Sequence, residues 1–476
     1  MEGSSAESPP RRSDHSGGGE TPPPVPAASR AALVSWVMFD WAAQPFYTLV
    51  TTFLFAPYFA TAVVSDKAQG QAAWGYAAAI AGFFIALGSP FLGALADGRG
   101  RRKPWLALFA AAFIGGQAML WFATPGASQA TIYLVLGAFI LAAVAAEYAQ
   151  VFTNAIMPSL VLQDRLGRLS GAGWAAGYFG GLVSLIVMVG LIAPVPGTGK
   201  TLLGFTPLLP LDTVSREGDR LAGPFAALWF LVFVIPFFLF VPDVRHTAPR
   251  ADPGRSAFAE LWDTLRALPA QPSILLFLIA RMFYSDGLTA IFTFGGIYGA
   301  AVFGWGPVEL GIFGLVLTLT GAFGALAGGF LDDRLGSKTV IIGALVVLMV
   351  GAIGILSVDQ THVLFSQQVA AKAEGSRPFS STGEQVFLAF AILVGIVSAP
   401  VQAASRSLLA RMAPPDKITQ YFGLFAFSGK ATAFAAPLLV AAVTNATGDQ
   451  RLGMASILTF LILGVILMVP VRAQRI

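Results

Sequence analysis

Apolar residues run along this chain in about twelve blocks, each near the ~20 residues a helix needs to cross a bilayer, with short polar stretches between them. The blocks fall at about 33–64, 72–96, 105–123, 130–154, 171–193, 224–242, 273–302, 308–331, 339–358, 385–406, 420–443 and 452–471. Each reads as an α-helix, because a lone strand leaves its backbone N–H and C=O groups unsatisfied in lipid. Residues 1–32, rich in Pro, Ser and Gly, hold no apolar run and are expected to form a disordered cytoplasmic tail. They do not read as a cleaved leader, since no basic stretch leads into a short apolar core. A long connection at 243–272 divides the blocks six and six, giving bundles at 33–242 and 273–476. Within it Phe258, Leu261, Trp262, Leu265 and Leu268 recur at helical spacing behind Ser256, a candidate N-cap. That amphipathic helix has two readings: it lies on the membrane surface, or it packs beneath the bundle.

Composition sharpens this picture. Hydrophobic residues make up 56% of 476 and charged residues 11%, with a mean hydropathy of +0.72. A soluble domain carries about 25% charge, so a water-soluble globular protein is excluded, as is a single-span receptor. With no cysteine, disulfides and thiolate metal sites are excluded too. His15, His246 and His362 lie far apart, so no metal site is expected, and no cofactor. The net charge of +4 sits in loops and does not point to nucleic acid. If the N-terminus is cytoplasmic, 19 of the 29 Lys and Arg fall on that side, 7 on the other and 3 within blocks. The positive-inside rule then puts both termini in the cytoplasm. The 22 Arg against 7 Lys, with abundant Ala, hint at a GC-rich bacterial genome and hence a plasma membrane.

One loop occurs twice. Gly93, Leu95, Asp97, Gly100 and Arg102 follow the second block; Gly329, Leu331, Asp333, Gly336 and Lys338 follow the eighth, in register 236 residues later. Two related six-helix halves are the architecture of alternating-access transporters. The loops resemble the signature between helices 2 and 3 of the major facilitator superfamily, G-x-L-a-D-x-x-G-R-[RK]. That resemblance implies a cytoplasmic latch built from Gly93, Asp97, Arg101, Arg102, Asp333, Arg334 and Lys338. An aspartate there can sit against a neighbouring helix N-terminus, whose partial positive charge favours it. Ser337 replaces the arginine of the pattern in the second copy, so a weaker latch is expected there.

Further stretches are similar to one branch of that superfamily, the UMF1 group, which shares a domain with the autophagy-related vacuolar effluxers. They include Phe39 to Tyr47, Asn154 to Pro158, Phe294 to Tyr298, Ser405 to Leu408 and Phe422 to Lys430. Ala43, Gln44 and Pro45 depart from the Asn-Ser-Ala-like residues of the branch. The resemblance implies an all-α integral membrane fold, with twelve spans in two halves and both termini cytoplasmic. It implies transport of a small polar or zwitterionic solute, amino-acid-like and exported in relatives, with spans 1, 4, 7 and 10 lining the path.

Charged residues inside blocks are the candidate chemistry. Each costs roughly 2.5–3.5 kcal/mol at a span centre, so the acids Asp40, Glu147 and Asp286 and the bases Arg281, Arg406 and Lys430 must pair or face water. Three acids against three bases also suit a zwitterion. Asp40 and Gln44 share one helix face; so do Glu147, Gln150 and Asn154; Arg281, Tyr284 and Ser285; and Gln402 and Arg406. Asp286 points about 140° away from Arg281. Glu147 is the candidate proton carrier and Arg281 the candidate carboxylate anchor, each with a structural ion pair as the alternative reading. Expected partners are a small solute, protons and the bilayer, with the chain as a monomer. The glycine-rich Gly197 to Thr201 lacks the preceding strand of a phosphate loop and is set aside. No nucleophile–base set suggests an enzyme. A non-transporting receptor on the same fold remains the alternative.

Overall fold

A computed structural model describes residues 28–98, 100–195, 197–243, 256–373 and 375–472. Most of the expected N-terminal tail and residues 244–255 of the connection lie outside these. Twelve helices are long and apolar enough to span a membrane. They are α1 (Arg30–Val63), α2 (Lys67–Asp97), α3 (Lys103–Phe122), α4 (Gln129–Ser159), α5 (Gln163–Ile192) and α6 (Glu217–Phe240). The second set is α7 (Pro272–Phe303), α8 (Val308–Leu335), α9 (Ser337–Leu356), α10 (Thr382–Met412), α11 (Pro415–Thr447) and α12 (Gln450–Met468). Several outrun their apolar blocks: α5 begins eight residues before the predicted start and α10 continues six beyond the predicted end. At 1.5 Å per residue, the 31 residues of α10 reach ~46 Å, past the ~30 Å hydrocarbon layer. The excess carries polar residues, which is why an apolar window misses it.

Packing repeats with a shift of six. Helix α1 packs on α5 and α6, α3 on α4 and α6, and α2 on α4; in the same way α7 packs on α11 and α12, α9 on α10 and α12, and α8 on α10. The halves meet along α2–α11 and α5–α8. Gly93 lies against the Thr419 and Gln420 backbone, and Gly329 against Gly167 and Gly171. A Cβ on Gly93 would come within 2.5 Å of the Thr419 carbonyl oxygen. Small residues let these backbones cross closely, as membrane helices need.

Spans α1 and α11 are irregular beside a proline. Pro45 in α1 has no N–H for the Trp41 carbonyl four residues earlier. The Trp229 indole N–H of α6 takes that carbonyl instead, at 3.3 Å. Beyond Pro45 the helix widens over Phe46–Phe53 and bends at Leu54. Helix α11 breaks after Lys430, runs through a turn at residues 431–434 and restarts at Ala435–Thr447, because Pro437 cannot donate to the preceding turn.

The connection contributes a helix, Ala257–Ala267, capped by the Ser256 hydroxyl accepting from the Ala259 N–H at 3.2 Å. It packs on α2, and buried Thr264 donates to the Gln420 side chain of α11 at 3.1 Å. Phe258 and Trp262 stay exposed while Leu268 is buried. One face is therefore docked on the bundle and the other left open.

Candidate functional site

Both ends of the latch are built on main-chain amides. Where α2 ends, Asp97 accepts from the Thr419 and Gln420 N–H groups at 3.3 and 2.8 Å, at the start of α11. Where α8 ends, Asp333 accepts from the Gly167 and Arg168 N–H groups at 2.8 and 3.1 Å, at the start of α5. Each aspartate therefore caps the first turn of a helix in the opposite half, where unpaired N–H groups and the helix dipole attract negative charge.

The charges around the two copies differ. Arg102 lies 3.3 Å from Asp97 and donates to the Thr419 hydroxyl at 2.8 Å. Burial lowers the pKa of Arg102, while the Asp97 carboxylate opposes that shift. In the second copy Arg411, from the end of α10, reaches Asp332 at 2.7 Å and Asp333 at 3.2 Å. Arg168 adds a pair across the halves to Asp333 at 2.7 Å. Ser337 donates to Asp332 at 2.7 Å and also meets Arg411, and Ser407 bonds Asp332 as well. The expected weaker second copy is instead the denser one, because its cation comes from α10 and Ser337 leaves room for it. Arg101 is exposed. Arg334 lies over the Phe330 ring at 4.0 Å, and Lys338 donates to the Val469 carbonyl at 2.6 Å. None of these three reaches the latch carboxylates.

Farther from these helix ends lies a buried network joining the halves. Arg406 of α10 holds Asp40 of α1 at 3.0 Å, Asn154 of α4 at 3.2 Å and the Ser170 hydroxyl of α5 at 2.9 Å. Gln150 bridges Asp40 and Asn154, at 3.1 Å to each. The Arg406 guanidinium also sits over the Trp36 ring at 4.9 Å. Gln44, on the face of Asp40, lies beside Gly177 and Gly181, and Gln402 is half-buried one turn before Arg406. A second pair joins the halves nearer their middle, with Glu147 of α4 at 3.2 Å from Lys430 of α11.

The third acid and the third base do not meet. Arg281 donates to the Phe425 carbonyl at 2.6 Å and the Ser428 hydroxyl at 2.9 Å, with its guanidinium 3.4 Å from the Phe425 ring centre. One helix turn on, the Tyr284 hydroxyl bonds Ser405 at 2.7 Å. Asp286 is 1% exposed, and both of its carboxylate oxygens lack a hydrogen-bond partner among the described residues. Among these side chains exposure is 6% at Asp97, 13% at Asp40, 22% at Glu147 and 38% at Lys430.

Gln150 was placed from sequence on the polar face of Glu147 and Asn154; Arg411, Arg168 and Ser170 were not foreseen as site residues. A second repeat marks part of this set. Asp164, Arg165, Leu166 and Gly171 match Asp416, Lys417, Ile418 and Gly423 at a spacing of 252, and it contains the amides that the two latch aspartates hold.

Among solved structures, the fold is similar to the human organic anion transporter MFSD10, with a TM-score of 0.66 at 17% identity over 94% of this chain and 100% of that one. It is also similar to the transporter FucP in its outward conformation, with a TM-score of 0.65 at 14% identity over 92% and 97%. In sequence the chain is 25% identical to the MFS-type transporter YxiO of Bacillus subtilis over 91% of its own length and 93% of that protein. It is 26% identical to autophagy-related protein 22 of Cryptococcus neoformans over 64% of its length, spanning about half (51%) of that fungal protein. The family model "Vacuole effluxer Atg22 like" matches residues 61–476. This multi-pass membrane protein therefore belongs to the Atg22-like family of major facilitator transporters.

Proposed function

We propose that the protein moves a small zwitterionic solute of the amino-acid class across its membrane by alternating access, with the latch face in the cytoplasm. The observation that carries this reading is the pair of Glu147 and Lys430. It bridges the halves at mid-span and is the most exposed of the cross-half pairs in the path. A solute with an ammonium and a carboxylate can exchange with that pair group for group: Lys430 takes the carboxylate and Glu147 the ammonium. Neither ion is then left without a partner in a low-dielectric site, where an unpaired charge is costly.

The same exchange supplies the mechanism. Binding that replaces Glu147–Lys430 removes a bond between the halves. Below it the buried Asp40–Arg406 network and the two latch aspartates hold the cytoplasmic side shut. The excess of Lys and Arg on the latch face supports the cytoplasmic assignment. A bacterial plasma membrane fits the Arg-rich composition, and each half-pair being supplied within one chain suits a monomer.

Counterflow in proteoliposomes, with a labelled amino-acid mixture trapped on one side, tests the reading. Exchange is expected, and Lys430→Gln should raise the solute concentration needed for half-maximal exchange about tenfold, the equivalent of one lost charge-assisted bond at about 1.4 kcal/mol. Saturable binding without exchange would favour the receptor alternative instead.

A further inference from the structure

Asp286 sits fifteenth of the 32 residues of α7, close to the centre of the span. A carboxylate so placed is expected to find a cation or several N–H donors. Asp40, Glu147, Arg406 and Lys430 stand in cross-half ion pairs, while Arg281 bonds the Phe425 carbonyl and Ser428 and leaves its Nε without a partner among the described residues. The elements packed on α7 offer little to Asp286. The inner part of α12, Ile457–Met468, has no titratable group. On α10, Arg406 is committed to Asp40 and Ser170. On α7 itself, Arg281 is turned to the Phe425 carbonyl and Ser428. On α11, Lys430 is committed to Glu147. The groups that act on Asp286 are Arg281 at a distance and the hydroxyl of Thr432, which is itself buried without a hydrogen-bond partner among the described residues. No group of three His, Asp or Glu side chains that could hold a metal ion lies among the described residues.

We propose that Asp286 carries a proton in this state and is the site through which transport is coupled to protons, with the turn at residues 431–434 as the link to the solute. The carboxyl is neutral, which removes the need for a counter-ion, and Thr432 is the hydroxyl beside it. Thr432 lies in the break of α11, two residues after Lys430. When a solute displaces Lys430 from Glu147 and the halves part, the turn that interrupts α11 is the segment that moves, and it carries Thr432 with it. Asp286 then meets water and releases its proton to the newly opened side; on return it takes a proton from the other side onto one carboxylate oxygen. Glu147, chosen from sequence as the proton carrier, serves as a solute group in this scheme.

The coupling step rests on the transport reading; the protonated carboxyl does not. Infrared spectra of the purified full-length protein near neutral pH are expected to show the carbonyl stretch of a protonated carboxyl. That band should vanish in Asp286→Asn and shift in Thr432→Val, a change small enough to keep the fold. In proteoliposomes, exchange by Asp286→Asn should lose its acceleration by an imposed pH gradient, whereas Glu147→Gln should keep it. A band unchanged by Asp286→Asn, a gradient response that survives in that variant, or driving by sodium in place of protons would overturn the proposal. Wild-type protein that shows the band yet exchanges no solute would retain the protonated carboxyl and remove the transport reading alone.

Discussion

At the first latch copy Asp97 faces one cation, Arg102, whose own backbone N–H is held by Asp243 at 3.2 Å; at the second, Asp332 and Asp333 sit under Arg411 with Arg168 added from the other half. What the copies share is the main-chain part: an aspartate at the end of α2 or α8 capping the first turn of α11 or α5. What differs is where the cation comes from. Arg102 belongs to the repeated loop, whereas its counterpart Lys338 turns away to α12 and Arg411 arrives from α10. Ser337, standing where the pattern has arginine, leaves space for that arrival. A repeated motif can thus keep its backbone function while its counter-charges are drawn from elsewhere in the fold.

Breaking the counter-charges should have unequal effects on the two copies. Arg411→Ala leaves Asp332 and Asp333, 1% and 4% exposed, without their shared cation. Removing one partner of a buried pair costs about 3–5 kcal/mol, so the thermal midpoint of this variant in detergent should fall well below that of Arg102→Ala. In the latter, Asp97 keeps two amide donors, whereas in Arg411→Ala the buried Asp332 keeps only the Ser337 and Ser407 hydroxyls. Ser337→Arg, which restores the superfamily pattern, is expected to destabilise. The serine is 2% exposed and bonded to Asp332, and overpacking costs typically ~1–3 kcal/mol; a raised midpoint would show that the arginine can share the site after all. Arg168→Gln should matter least, because its side chain is 55% exposed and such pairs contribute about 0–1 kcal/mol. Its small effect should shrink further in high salt.

The membrane fold was legible because its cause is blunt: a block of about twenty apolar residues has one stable form in lipid. The repeated aspartates were legible as a pair that could meet a helix N-terminus, since Asp97 and Asp333 recur at one spacing and both accept from amides of the opposite half. Their amide partners were hidden by arithmetic. The first repeat is offset by 236 residues and the second by 252, because the connection after α9 is longer than its counterpart after α3, so a search at one spacing finds one repeat. Arg411 and Arg168 lie on helix extensions beyond the apolar blocks, where hydropathy carries no signal. The charge balance of three acids and three bases was visible, but the pairing was not. Which acid remains unpaired depends on side-chain directions such as that of Arg281 toward the Phe425 carbonyl.

The capping of α5 and α11 also has a genetic side. Asp97 and Asp333 hold backbone N–H groups, and every residue but proline supplies one. Thr419, Gln420 and Arg168 can therefore be replaced without removing the donor, while replacing either aspartate removes the acceptor. Half of each fastening is thus silent to point mutation, and inherited variation that loosens this side of the transporter should collect at the aspartates, at the glycines that let the helices cross, and at prolines newly placed in the first turns of α5 and α11.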